Sequence, residues 1–224
     1  MTKTPTSDDD YTENALVEQP ALEIFRELGW HPKNAFQETL TDCPITGRDE
    51  STEVVLRPRL LSALKTMNPD LPHEALEQAI DELTADRSTK TPVAANKEVY
   101  LLLKDGVLVK FRGPNGEEKQ DRVRLIDWNN PENNGFFLVS QFWVNGTLYR
   151  RRPDLVGFVN GIPLVLVELK SPTENIRRGY EDNLRDYRDT IPHIFWYNAF
   201  IIISNGVDSG VGTLTSPFEH FNEW

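Results

Sequence analysis

The sequence is poor in three features that would each indicate a particular class of protein. It has one cysteine, Cys43, which excludes an internal disulfide and a cysteine-rich zinc site. No apolar run approaches the roughly 20 residues that span a bilayer. The opening residues also lack the basic and apolar stretches of a secretory signal. These absences predict a cytoplasmic protein that does not cross a membrane.

Two further absences bear on function. Lys and Arg number 24 against 35 Asp and Glu, and the net charge of −11 counts against a free-standing protein that binds DNA tightly without sequence preference. No G-x-x-x-x-G-K-[ST] phosphate loop occurs, so the chain is not expected to bind ATP by itself. Arginines are nevertheless concentrated in residues 150–152 and 177–188. They form either the basic rim of a site or ordinary solvated faces.

The pattern of apolar residues indicates one large domain that mixes helices and strands. A chain of 224 residues is long enough for one sizeable core. Periodicity predicts helices over residues 12–29, 53–67, 73–85 and 174–188, and strands over 99–103, 107–111, 122–126, 136–144, 149–159, 164–169 and 198–204. The remaining predictions are an acidic disordered arm at 1–12, a loop at 31–49 that contains Cys43, and a helical hairpin insertion at about 50–90. The expected fold class is α/β or α+β, with a mixed central sheet flanked by helices.

Three residues near two predicted strands suggest chemistry. Glu168 and Lys170 are two apart, so in a strand they point to the same face, and Asp154 precedes the neighbouring strand. Hydrolysis of a phosphodiester needs a divalent cation and a positioned group for the attacking water. Asp154, Glu168 and the Leu169 carbonyl would supply hard oxygen ligands for Mg²⁺, and Lys170 would orient the water or stabilise charge at phosphorus. The alternative is a Glu–Lys ion pair at the end of a core strand.

The register of the hairpin decides whether these residues meet. A two-residue Asn160-Gly161 turn with uninterrupted pairing would place Asp154 opposite Val167, and Asp154 and Glu168 would then lie on opposite faces. The site therefore requires a bulge or a loop of odd length. A three-residue loop that ends in Gly161 would suffice, because glycine readily adopts the left-handed conformation of such a loop.

The segment RRPDLVGFVNGIPLVLVELKSP, residues 151–172, closely resembles the nuclease signature of the type I restriction enzyme R (HsdR) subunit. Residues 123–146 and 191–216 resemble the same family's upstream and downstream blocks. The resemblance implies a PD-(D/E)xK endonuclease domain over 13–224 with a restriction-endonuclease-like fold, and Asp154, Glu168 and Lys170 as its catalytic residues. It also implies Mg²⁺, or Mn²⁺ in its place, as the cofactor. Helicase motor domains that use ATP are expected downstream of this chain.

The same resemblance suggests supporting residues. Family members carry Q-x-x-x-Y on the following helix; here Tyr187 is kept and Asn183 takes the glutamine position. Tyr187 is equally consistent with a core residue. Glu18 resembles an acidic residue contributed by the first helix, although the nearby Pro20 makes an ordinary surface glutamate the favoured interpretation. Gln141 is either a supporting residue or a strand amide that satisfies backbone groups. Three arginines are further candidates for DNA contact: Arg152, Arg178 and Arg185.

The leading hypothesis is metal-dependent cleavage of double-stranded DNA away from the recognition site. The resemblance implies partners that methylate DNA and recognise its sequence, namely the modification and specificity subunits of a type I restriction complex. One alternative is a non-catalytic docking module with a nuclease fold. Another is a stand-alone repair or recombination nuclease.

Overall fold

A computed structural model describes residues 14–41 and 44–223. The predicted arm at 1–12 and Cys43 lie outside the described residues. Within the described part, no helix combines the length and the apolar character needed to cross a membrane.

A seven-stranded mixed sheet forms the centre of the molecule, with the strand order β1-β4-β7-β8-β9-β10-β11. Its strands are β1 (His31–Asn34), β4 (Phe136–Ser140), β7 (Leu155–Val159), β8 (Ile162–Leu169), β9 (Phe200–Ser204), β10 (Ser209–Gly212) and β11 (Asn222–Glu223). The β1–β4 and β8–β9 pairs are parallel and the other pairs antiparallel. Seven of the eight residues of β8 are buried, as expected for an apolar strand that is covered on both faces. The predicted mixed sheet is thus confirmed.

Two small hairpins accompany this sheet. They are β2 (Val107–Arg112) with β3 (Glu118–Val123), and β5 (Val144–Asn145) with β6 (Arg150–Arg151). The second hairpin lies between β4 and β7 in the chain. It is therefore tied at both ends to strands of the central sheet.

Helices cover both faces of the sheet. They are α1 (Gln19–Glu27), α2 (Arg57–Met67), α3 (His73–Thr84), α4 (Pro92–Asp105) and α5 (Arg185–Thr190); π-helical turns, Asn14–Glu18 and Gly179–Leu184, precede α1 and α5. Helices α2 to α5 contribute to the larger hydrophobic cluster, together with Phe158, Leu166 and Ile203 of the sheet. The smaller cluster joins Leu22 of α1 to the opposite face of β8. The helices predicted over 53–67 and 73–85 correspond to α2 and α3.

The predicted strand over 99–103 is wrong, because these residues belong to α4. Three signals favour the helix. The Thr91 hydroxyl accepts a hydrogen bond from the Ala94 amide at 3.3 Å, Pro92 begins the first turn, and Gly106 ends the helix with a φ of 76°. The buried residues recur at helical spacing: Ala95, Val99 and Leu103. The apolar run at 99–103 concealed this longer period.

Other boundaries also differ from the prediction. Strand β1 occupies part of the predicted loop 31–49, and its mostly exposed residues give no alternating apolar signal. The helix predicted from residue 53 begins at Arg57, and the strand predicted over 122–126 ends at Val123. The strand predicted over 136–144 ends at Ser140, because Gln141 has a φ of 59° that an extended strand does not permit.

A buried ion pair fixes the segment that follows β1. Arg48 Nη2 lies 2.9 Å from Glu38 Oε2, and the two side chains are 1% and 3% exposed. Arg48 also donates to the Trp143 carbonyl at 2.9 Å. Burial raises the pKa of Glu38, but hydrogen bonds from Thr46 and Arg48 outweigh this effect, so its pKa lies below the ordinary value. The pair links this segment to the β5 strand.

Candidate active site

The β7–β8 hairpin contains the bulge that the site requires. The bulge lies within the paired strands and not in the turn. Asn160 and Gly161 form a two-residue turn with φ values of 53° and 85°. Next to the turn, Val159 pairs with Ile162 and Phe158 with Pro163. The following pair is Gly157 with Val165, so Leu164 is the extra residue. Of the two arrangements that the sequence left open, the structure has the bulge and not the loop of odd length, and the required change of register is confirmed.

This bulge brings the predicted carboxylates to one face. Leu155 pairs with Val167, so Asp154 and Glu168 are the next residues along the two strands. Asp154 Oδ2 accepts a hydrogen bond of 2.7 Å from the Leu169 amide, which holds the carboxylate against the end of β8. Both acidic residues lie on the face covered by α5.

Glu168 and Lys170 form a buried pair at the end of β8. Lys170 Nζ donates to Glu168 Oε1 at 3.1 Å and to the Leu169 carbonyl at 3.0 Å. Glu168 is fully buried, and its Oε2 atom has no hydrogen-bond partner among the described residues. Burial and then the nearby Asp154 charge raise the pKa of Glu168 well above the glutamate value of 4.5, although Lys170 opposes the shift. Burial likewise raises the pKa of Asp154.

Glu18 is buried near Asp154, which corrects its interpretation as an ordinary surface residue. It is the last residue of the first π-helical turn and is only 5% exposed. Gln141 Nε2 donates to Glu18 Oε2 at 2.8 Å, and the Gln141 amide donates to the Asp154 carbonyl at 2.7 Å. Burial raises the pKa of Glu18, and the Asp154 charge adds to that shift. Gln141 thus lies beyond the end of β4 with a left-handed backbone, and it contacts both Glu18 and Asp154.

The helix after β8 contributes Tyr187 and Asn183. The Tyr187 hydroxyl lies 3.5 Å from Asn183 Nδ2 and 3.5 Å from the Arg152 carbonyl, so both contacts are long for hydrogen bonds. Burial raises the pKa of Tyr187, and the charges of Glu168 and Asp154 raise it further. Tyr187 is therefore both a core residue and a neighbour of the carboxylates. The structure records contact of Asn183 with Tyr187 and none with the carboxylates.

Gly179 packs against the candidate site, and nothing in the sequence indicated this position. A Cβ atom at this position would lie 2.9 Å from Ile203 Cγ2, 3.4 Å from Glu168 Cγ and 3.6 Å from Lys170 Cε. Gly179 begins the second π-helical turn, and π-helical turns are frequent at functional sites. Its position eleven residues after Glu168 carries no motif, so only the packing reveals it.

Of the three candidate arginines, only Arg152 affects the carboxylates. Burial raises the pKa of both Asp154 and Glu18, and the Arg152 guanidinium opposes that shift in each. Arg178 is exposed and pairs with Glu174 at 2.5 Å and with Asp182 at 3.5 Å. Arg185 is also exposed. The structure thus does not bring Arg178 or Arg185 to the carboxylates.

The arrangement offers oxygen ligands, a cation and a buried tyrosine at one end of the sheet. No three Asp, Glu, His or Cys side chains within the described ranges converge as the cage of a metal ion. A divalent cation here would rely on the two carboxylates of Asp154 and Glu168 and on the Leu169 carbonyl. Water and a substrate phosphate would complete the coordination, as is usual for Mg²⁺.

Comparison with known proteins identifies the family of the chain. The family model for the N terminus of the type I restriction enzyme R protein matches residues 10–220. The chain is 33% identical over 216 residues to the endonuclease subunit of the type I restriction enzyme HindI from Haemophilus influenzae, which covers 93% of this chain and 20% of that protein. It is 31% identical over 219 residues to the putative type I restriction enzyme MjaIXP endonuclease subunit from Methanocaldococcus jannaschii, which covers 95% of this chain and 20% of that protein.

The chain therefore spans about a fifth of the length of the curated relatives that it matches. The family match covers six of the seven strands of the central sheet, all but β11, and both π-helical turns. It also confirms the resemblance drawn from residues 123–146, 151–172 and 191–216. The chain belongs to the family of type I restriction enzyme R protein N-terminal domains.

Proposed function

We propose that this chain is the nuclease domain of a restriction subunit and hydrolyses phosphodiester bonds of double-stranded DNA with the help of Mg²⁺. The observation that carries the proposal is the buried carboxylate pair of Asp154 and Glu168. Glu168 Oε2 is buried without a hydrogen bond within the described residues, and burial and the Asp154 charge raise the pKa of Glu168 although Lys170 and Tyr187 oppose the shift. A purely structural strand end would not retain such a costly arrangement without compensation.

The donor set fits a hard divalent cation. Asp154, Glu168 and the Leu169 carbonyl would hold Mg²⁺ or, in its place, Mn²⁺. The cation would supply charge stabilisation at the phosphate and at the leaving oxygen. Binding would also offset the burial that raises the pKa of both acidic side chains and the Asp154 charge that raises the pKa of Glu168.

The other residues of the site would position the reaction. Lys170, 3.1 Å from Glu168 Oε1, would hold the attacking water or stabilise negative charge on the phosphate. Tyr187 would exclude water from the buried side of Glu168. Gln141 and Glu18 would fix the position of Asp154 through the hydrogen bonds that join these three residues. Arg152 would attract the DNA phosphate next to the one that is cleaved.

The remaining functions would come from the rest of the subunit and from its partners. The downstream part would contain an ATP-driven motor, and separate modification and specificity subunits would methylate the DNA and recognise its sequence. This division explains how a domain with a net charge of −11 acts on DNA, since the assembly would deliver the substrate.

The test uses the full-length subunit assembled in its complex. Asp154→Asn and Lys170→Ala are expected to abolish DNA cutting while ATP hydrolysis continues. Lys119→Ala is a matched control, because Lys119 pairs with Glu117 at 3.0 Å in another E-x-K sequence whose side chains are exposed. We expect this control to cut DNA normally.

The alternatives predict different results. Normal cutting by the Lys170→Ala complex would refute catalysis at this site and support a docking module. Cutting by the full-length subunit in the absence of other subunits and of ATP would instead support a stand-alone nuclease. Manganese density between Asp154 and Glu168 in soaked crystals, absent in Asp154→Asn, would test the metal ligands directly.

A further inference from the structure

The β5–β6 hairpin is an exposed element next to the proposed active site. It comprises residues 144–151, and the Gly146 amide donates to the Tyr149 carbonyl at 2.8 Å across its tip. Gln141, just after β4, and Asp154, just before β7, flank the hairpin and are joined by a backbone hydrogen bond. The hairpin thus continues the two strands that bear the site.

The β5–β6 hairpin is fixed against the rest of the domain by several contacts. A Cβ atom on Gly146 would lie 1.8 Å from the Thr190 carbonyl oxygen, so this backbone packs directly against the end of α5. The Asn145 amide donates to the Ser51 carbonyl at 2.9 Å. Arg151 makes a bidentate ion pair with Asp186, in which Nη2 lies 2.7 Å from Oδ1 and Nε contacts Oδ2. The element is therefore held in place before any partner binds.

The tip, in contrast, presents apolar and aromatic groups to solvent. Leu148 is 83% exposed and Tyr149 is 55% exposed. The Tyr149 ring lies 5.1 Å from the Arg151 guanidinium, yet more than half of each side chain remains open to a partner.

The arginines beside the tip are available to an anion. The Arg150 guanidinium lies 4.0 Å and that of Arg152 5.0 Å from the centre of the Trp143 ring, and no ion pair with either is recorded among the described residues. Stacking on the ring orients a guanidinium while leaving its N–H groups able to bind a phosphate. Residues 142–153 contain three arginines and no acidic residue, in a chain whose net charge is −11.

We propose that the β5–β6 hairpin grips the DNA duplex beside the cleaved bond. Arg150 binds the phosphate backbone, and Leu148 and Tyr149 lie in the minor groove, where apolar wedges and basic side chains are commonly used. Arg150 is four residues from Asp154, at most about 14 Å along the chain, so the bound phosphate lies within a few nucleotides of the site. This inference rests on the proposed nuclease function.

Photocrosslinking in the full-length complex tests the hairpin. Tyr149→p-benzoylphenylalanine is introduced into a Lys170→Ala background, which keeps the plasmid DNA intact. Tyr100→p-benzoylphenylalanine is the matched control, because Tyr100 is also 55% exposed but lies on α4. We expect position 149 to crosslink to DNA on irradiation with ATP present, and position 100 not to do so.

The outcomes separate this inference from the proposed function. If Lys170→Ala abolishes cutting but position 149 crosslinks to another protein subunit or to nothing, the hairpin inference is wrong and the nuclease proposal stands. If Lys170→Ala still cuts, the nuclease proposal fails whatever position 149 contacts.

A second variant tests the charge of the hairpin. In the crosslinking protein, Arg150→Gln should reduce the crosslinking yield at position 149 severalfold, because one phosphate contact is lost. The yield should also decrease at a lower salt concentration than in the protein that keeps Arg150. Arg112→Gln on β2 is the control, since Arg112 is likewise exposed and has no recorded ion pair in the described ranges. Equal effects of the two substitutions would refute a specific phosphate contact by Arg150.

Discussion

Removing the Lys170 charge should destabilise the folded chain, and removing the Glu168 charge as well should restore most of the loss. Lys170→Ala leaves the fully buried Glu168 carboxylate without the cation that now lies 3.1 Å away. Glu168→Gln, by contrast, removes a charge that burial and Asp154 already disfavour. The two single variants should therefore differ strongly in their free energies of unfolding.

The distance and the burial set the magnitude. At 3.1 Å, two unit charges attract by about 5 kcal/mol at an effective dielectric constant of about 20. Desolvation of both groups offsets part of this, and breaking a buried pair on one side typically costs about 3–5 kcal/mol. Protonation of Glu168 limits the loss, so we expect about 3 kcal/mol for Lys170→Ala. For a chain of this size, that lowers Tm by about 6–12 °C.

The pH dependence of the unfolding free energy should follow from the charge of Glu168. In Lys170→Ala, the pKa of Glu168 rises further above 4.5, so the unfolded chain releases this proton at lower pH than the folded chain. Stability then falls as pH rises from about 4.5 and levels off above the folded pKa. The difference between Lys170→Ala and Lys170→Ala/Glu168→Gln should therefore grow as pH rises above the ordinary glutamate pKa of 4.5.

Urea unfolding of the four chains measures this coupling as a double-mutant cycle. We expect the double variant to recover at least about 2 kcal/mol relative to Lys170→Ala. Lys119→Ala with Glu117→Gln provides a matched cycle, whose exposed ion pair should show coupling below about 1 kcal/mol. Equal coupling in the two cycles would refute the claim that Lys170 compensates a buried carboxylate.

Three more perturbations test particular contacts. Gly179→Val should stop cutting in the assembled complex and destabilise the fold by about 1–3 kcal/mol through overpacking, whereas a variant with normal kcat would show that the close approach is unimportant. Gly161→Ala should lower stability by more than about 1 kcal/mol, because the φ of 85° is strained for alanine and its Cβ would lie 2.6 Å from the Leu56 carbonyl oxygen; unchanged urea unfolding would contradict this. Glu38 has a lowered pKa, so its ionised form stabilises the fold above its ordinary pKa of 4.5, and this stabilisation is lost as pH falls through the folded pKa. Glu38→Gln should therefore weaken the dependence of the unfolding free energy on pH in the acid range. An unchanged dependence would exclude the ion pair with Arg48 as its cause.

The sequence alone predicted the residue types and the strands of the candidate site. The strand at 164–169 and the Glu-x-Lys pair within it follow from an apolar run and from side-chain alternation. The predicted face shared by Glu168 and Lys170 agrees with their contact at 3.1 Å. Whether these residues catalyse a reaction remains a prediction, since geometry alone does not test it.

Glu18 shows what periodicity could not predict. Pro20 next to it suggested a kink or a helix start that would leave Glu18 at the surface. The structure instead starts the helix with a π-helical turn, and Pro20 falls in the first turn of α1. A π-helical turn rotates each side chain away from the position expected for an α-helix, and here Glu18 is buried beside Asp154. No sequence pattern marks such a turn.

The register of the β7–β8 hairpin could not be predicted from the sequence, for a different reason. Residues 164–167 are all apolar, and a strand that is buried on both faces gives little preference between two registers that differ by one residue. The polar residues break this symmetry, because Asp154, Glu168 and Lys170 share one face only if Leu164 is left out of the pairing with β7. The local sequence thus allowed both registers, and only the bulged one brings Asp154 to the face that carries Glu168 and Lys170.

The neighbouring strand completes the explanation of the bulge. A bulged residue leaves a backbone group unpaired, and an unpaired buried carbonyl is costly. Here the Leu164 carbonyl accepts from the Ala199 amide at 2.8 Å and from Asn198 Nδ2 at 3.3 Å. Asn198 is only 5% exposed and also donates to the Phe200 carbonyl at 2.9 Å. The start of β9 therefore stabilises the bulge, and through the bulge it sets the register that brings Asp154 and Glu168 together.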